Sequence, residues 1–217
     1  MGNTLALNAA LAAVFGRYSE RWRPADPLEK LVKIVLNHRT TGAHAQQAMT
    51  RLRANYPDWA DLAALPHDLL VDLVRPAGLA QQKAARIHGI LAQLYQDTGA
   101  YSLNFLEGLS NQEATRYLRR LPGVGALTAA LVLMFALGRE GVMPVEGQIH
   151  RVARRLGMAE ADAPAGRVQA AIEATAPGVD LMDLHVNLIE LGHRHCTPVG
   201  PDCLNCPVSD LCRSARL

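Results

Sequence analysis

The sequence predicts an all-α fold, and three observations lead there. Helical periodicity recurs along the chain and is broken by Pro and Gly. Alanine and leucine are abundant while aromatic residues make up only 5%, a balance that favours helix over strand. No stretch shows the strict apolar–polar alternation of a half-buried strand. With 217 residues, 49% of them hydrophobic, there is ample core for one compact unit or two small lobes.

Leu5, Leu7, Leu11, Val14 and Phe15 make the first segment apolar and predict a helix over 5–18. It carries no basic leader and no clear cleavage pattern, so it reads as a helix and not as a signal peptide. Pro24 lies before a second helix over 27–37, which opens on a proline suited to a first turn. A third helix is expected over 43–55. Pro57 and Pro66 punctuate the chain before a fourth over 67–75. Helices over 81–97 and 111–119 come next, and Pro122 separates the latter from 126–137. Pro144 precedes a helix over 148–156, and Pro164 precedes one over 165–175. The last, 181–191, carries Leu181, Leu184, Leu188 and Leu191 at helical spacing. There is no low-complexity segment, no solenoid repeat and no apolar run long enough to span a bilayer.

Net charge is only +2, so composition alone makes no electrostatic case for nucleic acid. The four cysteines carry more information. All fall near the end, as Cys196-x6-Cys203-x2-Cys206-x5-Cys212. So tight a cluster is a metal site or a pair of disulfides. A cytosolic protein keeps its thiols reduced, which favours metal.

A second motif lies between two predicted helices, Leu121-Pro122-Gly123-Val124-Gly125. Two glycines around one apolar residue permit a tight turn with positive φ. They also strip the turn of side chains, so that N–H groups at the start of the next helix can face an anion. A DNA phosphate is a natural ligand, because such a contact positions a duplex without reading its sequence. An ordinary αα-corner with Gly in the turn is the other reading.

Taken together, the Leu-Pro-Gly-Val-Gly hairpin, the following Thr128-Ala129 and the cysteine spacing resemble endonuclease III and, more broadly, the iron–sulfur branch of the helix-hairpin-helix DNA glycosylases. Gly78-Leu79-x3-Lys83-Ala84 and the stretch 145–152 match that pattern in part. The resemblance runs from about Pro27 to Cys212. It implies two helical lobes with double-stranded DNA, damaged or abasic, in the cleft between them. One lobe, 27–137, would be a six-helix barrel containing the hairpin. The other, 1–26 plus 138–217, would hold a [4Fe–4S] cluster on Cys196, Cys203, Cys206 and Cys212. Zinc is the physical alternative for four thiolates, and family spacing favours iron–sulfur. A monomer in the cytoplasm, at the nucleoid, is the corresponding expectation.

The chain departs from the family at four places. Relatives carry a lysine nucleophile two residues after the second hairpin glycine; here that position is Leu127, which cannot form a Schiff base. Relatives have Val-Asp-Thr-His where this chain has Val145-Glu146-Gly147-Gln148. Glu146 keeps the catalytic charge but moves it by about an ångström, a displacement that can cost on the order of 100-fold in rate. The other reading of Glu146 is a carboxylate satisfying N–H groups at a helix start. The third departure is Asn37-His38-Arg39-Thr40-Thr41-Gly42, where relatives have a pocket-lining Ser-x-Gln-x-Thr-Asp-like stretch. Arg39 takes the place of Gln and could reach a base edge or phosphate; alternatively His38 and Arg39 are a solvated helix end. Fourth, residues 197–202 contain no Lys or Arg, which weakens any phosphate grip there, with His193, Arg194 and His195 as partial compensation.

These residues define the expected site. Glu146 and Leu127 hold the catalytic positions. Pro122, Gly123, Val124, Gly125, Arg39, Thr41, Arg120 and Arg151 are the expected DNA contacts. Asn37, His38, Arg39 and Gln148 line the lesion pocket. The leading function is a monofunctional base-excision glycosylase. A non-catalytic DNA-binding or damage-sensing protein is the second hypothesis. A bifunctional enzyme with a displaced lysine is the third, weakened because no Lys follows Lys83.

Overall fold

The computed structural model describes residues 2–175 and 177–215. All regular structure among them is helical, as the composition and periodicity predict. The α-helices are α1 (Gly2–Phe15), α2 (Pro27–Asn37), α3 (Gly42–Asn55), α4 (Trp59–Ala63), α5 (His67–Val74), α6 (Ala80–Thr98), α7 (Asn111–Leu118), α8 (Ala126–Phe135), α9 (Gly147–Leu156), α10 (Ala165–Ala174) and α11 (Leu181–Arg194). The chain divides into two units. Pro24–Leu137 form one, and the segments before and after it form the other.

In the 24–137 unit, α2 starts where Asp26 accepts the Glu29 N–H at 2.6 Å and Pro27 occupies the first turn. Its apolar stripe, Leu28, Leu31, Val32, Val35 and Leu36, is wholly buried against α3, α6 and α8. The longest helix, α6, presents Ala84, Ile87, Ile90, Leu91 and Leu94 to α2, α4 and α5. A Ser110–Glu113 capping box fixes the start of α7. Only α4 lies outside the helices expected from the sequence. Its five residues are one turn, too short to display a period. Asp58 caps it, Trp59 and Leu62 bury its inner side, and the Arg53 guanidinium stacks 4.4 Å from the Trp59 ring.

In the other unit, α11 packs on both α1 and α9, and α10 packs on α9. The helix start at Asp180 is capped through two N–H groups, Met182 and Asp183. Buried polar residues on one face of α11 then hold the segment after α1. Asp183 accepts the Ser19 N–H at 2.8 Å, and Asn187 donates to the Gly16 carbonyl at 3.1 Å. His185, 3% exposed, donates from Nδ1 to the Pro144 carbonyl at 3.1 Å.

Burial drives the His185 pKa down from 6.5 to about 4, against a smaller opposing effect of the Pro144 bond. The folded protein therefore keeps this imidazole neutral, while the unfolded chain takes up a proton below 6.5. Stability from this residue is complete above pH 6.5 and drains as pH falls toward 4, by about 3 kcal/mol over that window. Urea unfolding at pH 7.5 and at pH 4.5, beside His185→Asn, is expected to show a steeper acid loss in the wild type. Equal slopes would remove His185 as the cause.

Candidate nucleic-acid interface and metal centre

The hairpin joins α7 to α8. Val124 N–H donates to the Leu121 carbonyl at 3.1 Å, closing a four-residue turn with Pro122 and Gly123 at its centre. Gly123 has φ +75°, so this is the Pro-Gly turn in which the third position must be left-handed. Leu121 and Val124 are buried and anchor the turn, while Pro122, Gly123 and Gly125 are exposed. Gly125 is the N-cap of α8 and offers no side chain. The first N–H groups of α8 consequently open toward solvent, with the positive end of the helix dipole behind them.

The hairpin rests on α6. A Cβ at Gly89 would stand 3.1 Å from Pro122 Cγ, so the absent side chain admits the proline ring. A Cβ at Gly123 would stand 2.8 Å from Arg86 Cδ and 2.9 Å from its Nε. Arg86 thus lies directly over the turn, and among the described residues it has no ion-pair or hydrogen-bond partner. Lys83 and Arg86 are three residues apart on α6 and so share a face. In the structure Arg86 reaches the hairpin, while Lys83 is buried at 1% exposure.

Leu127 is in the first turn of α8, 37% exposed. Thr128 beside it is buried and meets His38 Nε2 at 3.5 Å, linking the end of α2 to the start of α8. Burial pulls the His38 pKa down, and the Arg86 and Lys83 charges add to that, so its imidazole is neutral at pH 7. Asn37 and Arg39 at the same corner are exposed. Arg39 takes a left-handed backbone, φ 54°, which costs a non-glycine residue roughly 1–2 kcal/mol. Thr41 has a structural task in addition to any contact with DNA: its hydroxyl accepts the His44 N–H and caps α3.

Two of the expected phosphate contacts have partners of their own. Arg120 pairs with Asp97 at 3.6 Å and lies 5.7 Å from the Tyr117 ring centre. Arg151 donates to the carbonyls of Cys196 at 3.0 Å and Gly192 at 3.2 Å. Arg155, one turn on, donates to Thr197 and Pro198 carbonyls at 2.7 and 3.0 Å. The α9 arginines Arg151 and Arg155 therefore brace the cysteine segment. Arg194 is likewise occupied, with Glu190 at 2.9 Å and the Phe15 ring at 5.4 Å.

Glu146 is the N-cap of α9, and its carboxylate makes no capping bond to its own helix. Among the described residues it has no hydrogen-bond or salt-bridge partner, which sets aside the reading of a carboxylate spent on helix N–H groups. Gln148 is engaged elsewhere, its Nε2 2.8 Å from His193 Nε2. The loop ahead of Glu146 is tied down twice. Met143 N–H donates to Glu173 at 2.9 Å, and Pro144 accepts from His185.

None of the four cysteines is in a disulfide, and each is half-buried. Their spacing has a local cause. Cys206 N–H bonds to the Cys203 carbonyl, Ser209 to Cys206, and Cys212 to Ser209. Three successive i→i+3 bonds fold the segment tightly back on itself. Cys203, Cys206, Ser209 and Cys212 accordingly line one cavity of about 380 Å³, and Cys196 enters it from the end of α11. Arg155 Nη1 stands 3.4 Å from Cys196 Sγ. Burial pushes the Cys206 thiol up, and the other three cysteines add to the rise. Among the described residues, no three His, Cys, Asp or Glu side chains converge as tightly as a single metal ion requires.

Residues 32–177 match the HhH-GPD superfamily of base excision DNA repair proteins, and the chain belongs to that superfamily. Among its relatives, an endonuclease III from Thermotoga maritima is 28% identical over 200 residues, which cover 92% of this chain and 89% of its own. A provisionally named DNA glycosylase of Arabidopsis thaliana is 31% identical over 179 residues, 82% of this chain and 58% of that longer protein. The solved structure of an endonuclease III in a non-covalent complex with DNA superposes with a TM-score of 0.79 at 27% identity, covering 97% of this chain and 94% of the other. No helix among the described residues is long and apolar enough to cross a membrane.

Proposed function

We propose that the chain is a DNA glycosylase that hydrolyses the bond between a damaged or mismatched base and its sugar, and that it leaves the abasic strand uncut. The observation that carries the second half is the fate of its lysines. The sequence has three, Lys30, Lys33 and Lys83. Lys83 is sealed in the core, with Nζ donating to the Leu36 and Ala77 carbonyls at 2.7 Å each. Lys30 lies over the Phe135 ring at 5.0 Å, and Lys33 is one turn away on the same helix α2. Leu127 stands in the first turn of α8 where relatives bear the amine. This arrangement supports hydrolysis by water and gives no support to a displaced lysine.

The division of labour rests on the geometry. The hairpin, with Pro122, Gly123, Val124 and Gly125, grips a phosphate through backbone N–H groups, and Arg86 adds a guanidinium beside it. The target nucleotide must leave the stack before its glycosidic bond can be reached. The free carboxylate of Glu146 stabilises positive charge developing at the sugar and orients the attacking water. Leu127 and His38 are the residues we assign to the side of the lesion pocket formed by the 24–137 unit. The location that goes with this reading is the cytoplasm, at the nucleoid.

The cysteine site fits a [4Fe–4S] cluster. Four soft thiolates line one cavity of about 380 Å³, a donor set suited to iron–sulfur, which the spacing shared with the family favours over zinc. Cys196, Cys203, Cys206 and Cys212 would hold it. A bound cluster would supply iron cations that favour the thiolate form of all four cysteines; Arg151 and Arg155 tie the cysteine segment to α9. Iron and sulfide content of anaerobically purified protein separates this from zinc.

The test of hydrolysis is Leu127→Lys. Duplexes carrying uracil, oxidised pyrimidines, 8-oxoguanine mismatches, alkylated purines or an abasic site are incubated under single-turnover conditions. The wild type is expected to yield breaks only after hot alkali. Leu127→Lys is expected to yield a borohydride-trappable complex and some direct nicking. Direct nicking by the wild type would overturn the monofunctional reading. Duplex binding with no base released from any substrate would favour a binding or damage-sensing protein.

A further inference from the structure

Gln81 and His88 stand seven residues apart on α6, two turns, and so share a face of that helix. His67, the first residue of α5, meets both. Its Nε2 lies 2.9 Å from Gln81 Oε1, and its ring centre lies 5.8 Å from that of His88, with the ring planes tilted by 51°. None of the three belongs to the hairpin, the expected pocket or the cysteine segment.

The hydrogen bonds fix which ring nitrogens are left over. Gln81 Oε1 can only accept, so His67 donates from Nε2 and its Nδ1 keeps a lone pair. His88 donates to the carbonyl of Leu62 in α4. Its Nε2 is buried and, among the described residues, has no hydrogen-bond partner. A donor bond from one ring nitrogen to an oxygen is the arrangement that orients a metal-binding imidazole and frees the other nitrogen for the ion. Both rings have it. Burial pulls the His88 pKa down and His67 adds to the fall, against a smaller effect of the Leu62 bond, so this imidazole is neutral at pH 7.

The spacing fits as well. With a metal–nitrogen bond of about 2.0 Å, two imidazoles on one ion have ring centres about 5 Å apart at a tetrahedral angle and about 6 Å apart when opposed. The observed 5.8 Å falls within this range. A direct hydrogen bond between the rings would satisfy His88 Nε2, and none is present.

We propose that His67 and His88 form a two-histidine site for a borderline transition-metal cation, zinc being the ordinary case, with water on its remaining positions. His67 is exposed and gives the ion its entry, while His88 is half-buried and anchors it. Imidazole pairs take zinc, copper or nickel in preference to magnesium or calcium, which favour oxygen. No third His, Cys, Asp or Glu joins the pair among the described residues, so the metal is exchangeable, unlike the closed four-ligand centre of a structural zinc. The ion ties α5 to α6 and, through the Leu62 carbonyl, braces α4. His88 also precedes Gly89, against which the hairpin proline rests, so occupancy stiffens the helix beneath the hairpin.

Zinc uptake by the purified full-length protein, its cysteine site loaded, is measured by titration calorimetry in the wild type, His67→Ala, His88→Asn and Gln81→Ala. The wild type is expected to bind one zinc equivalent for which His67→Ala and His88→Asn each lose about 100-fold or more in affinity. Gln81→Ala keeps both ligands but frees the His67 ring, and is expected to lose about tenfold. Saturating zinc is expected to raise the wild-type melting temperature by about 3 °C and to leave that of His67→Ala unmoved. Magnesium is expected to do neither.

His67 is on the surface, so His67→Ala decides the matter even where His88→Asn fails to fold. Zinc uptake and a melting shift in His67→Ala equal to those of the wild type overturn the proposal and move the zinc to other groups. A wild type that takes up no zinc beyond its cysteine site overturns it too. Neither base release nor DNA binding is read in this titration, so its failure leaves the glycosylase reading where it stands.

Discussion

Glu146→Gln is expected to reduce single-turnover base release by about 100- to 1000-fold, the scale on which one electrostatic contact to a transition state acts. Duplex affinity should stay within about twofold, because the hairpin is untouched and an amide fits where the carboxylate stood. The expectation rests on a carboxylate that the α9 N-terminus does not use. Glu146 makes no capping bond, whereas Asp26, Asp58 and Asp180 each accept N–H groups of their own helices. Glu146→Asp is the companion. It withdraws the charge by about an ångström, and if the loop held by Glu173 and His185 is built for the longer side chain, the rate drops on the order of 100-fold. Alkali-dependent cleavage measured across the three proteins gives the answer. A Glu146→Gln enzyme as fast as the wild type would falsify the catalytic assignment.

Gly123→Val should have the second large effect, on affinity and not on chemistry. The residue sits at φ +75° in a turn closed by Leu121 and Val124, a conformation hostile to a β-branched side chain. Its Cβ would also fall 2.8 Å from Arg86 Cδ. Arg86 is long and can swing away, but it then leaves the proposed phosphate site. Turn strain of roughly 1–2 kcal/mol and a displaced guanidinium together predict a loss of about tenfold or more in duplex affinity. The measured slope of affinity against salt should fall by about one phosphate's worth. An unchanged slope and affinity, in a protein shown to be folded, would place the duplex elsewhere on the molecule.

Sequence reading reached some of these features and not others, for physical reasons. Helix α2 was legible to the residue because Asp26-Pro27 marks its start and an unbroken apolar stripe marks its length. The hairpin was legible because Pro-Gly at the centre of a turn is a backbone requirement written in residue types. Helix α4 was not, because one turn has no period. The partners of Arg120 and Arg151 were hidden by distance along the chain. Asp97 belongs to the helix before α7, and Gly192 and Cys196 come 41 and 45 residues after Arg151. An exposed-looking arginine reads as available until its acceptor is known. Lys83 could have been found. It falls in register with Ala84, Ile87, Ile90, Leu91 and Leu94, so the apolar face of α6 already contained it. A lysine in such a stripe signals an acceptor waiting in the core.

The turns through the cysteine segment carry a last consequence. Because Cys203, Cys206, Ser209 and Cys212 are joined by successive i→i+3 bonds, length in this region is fixed by the turns themselves. Adding or removing a residue between Cys206 and Cys212 would break one of these bonds and carry the final sulfur away from the cavity that the other cysteines line. The segment thus behaves like a folded rule with set joints: side chains between the joints can change without moving the sulfurs, and the distances between joints cannot.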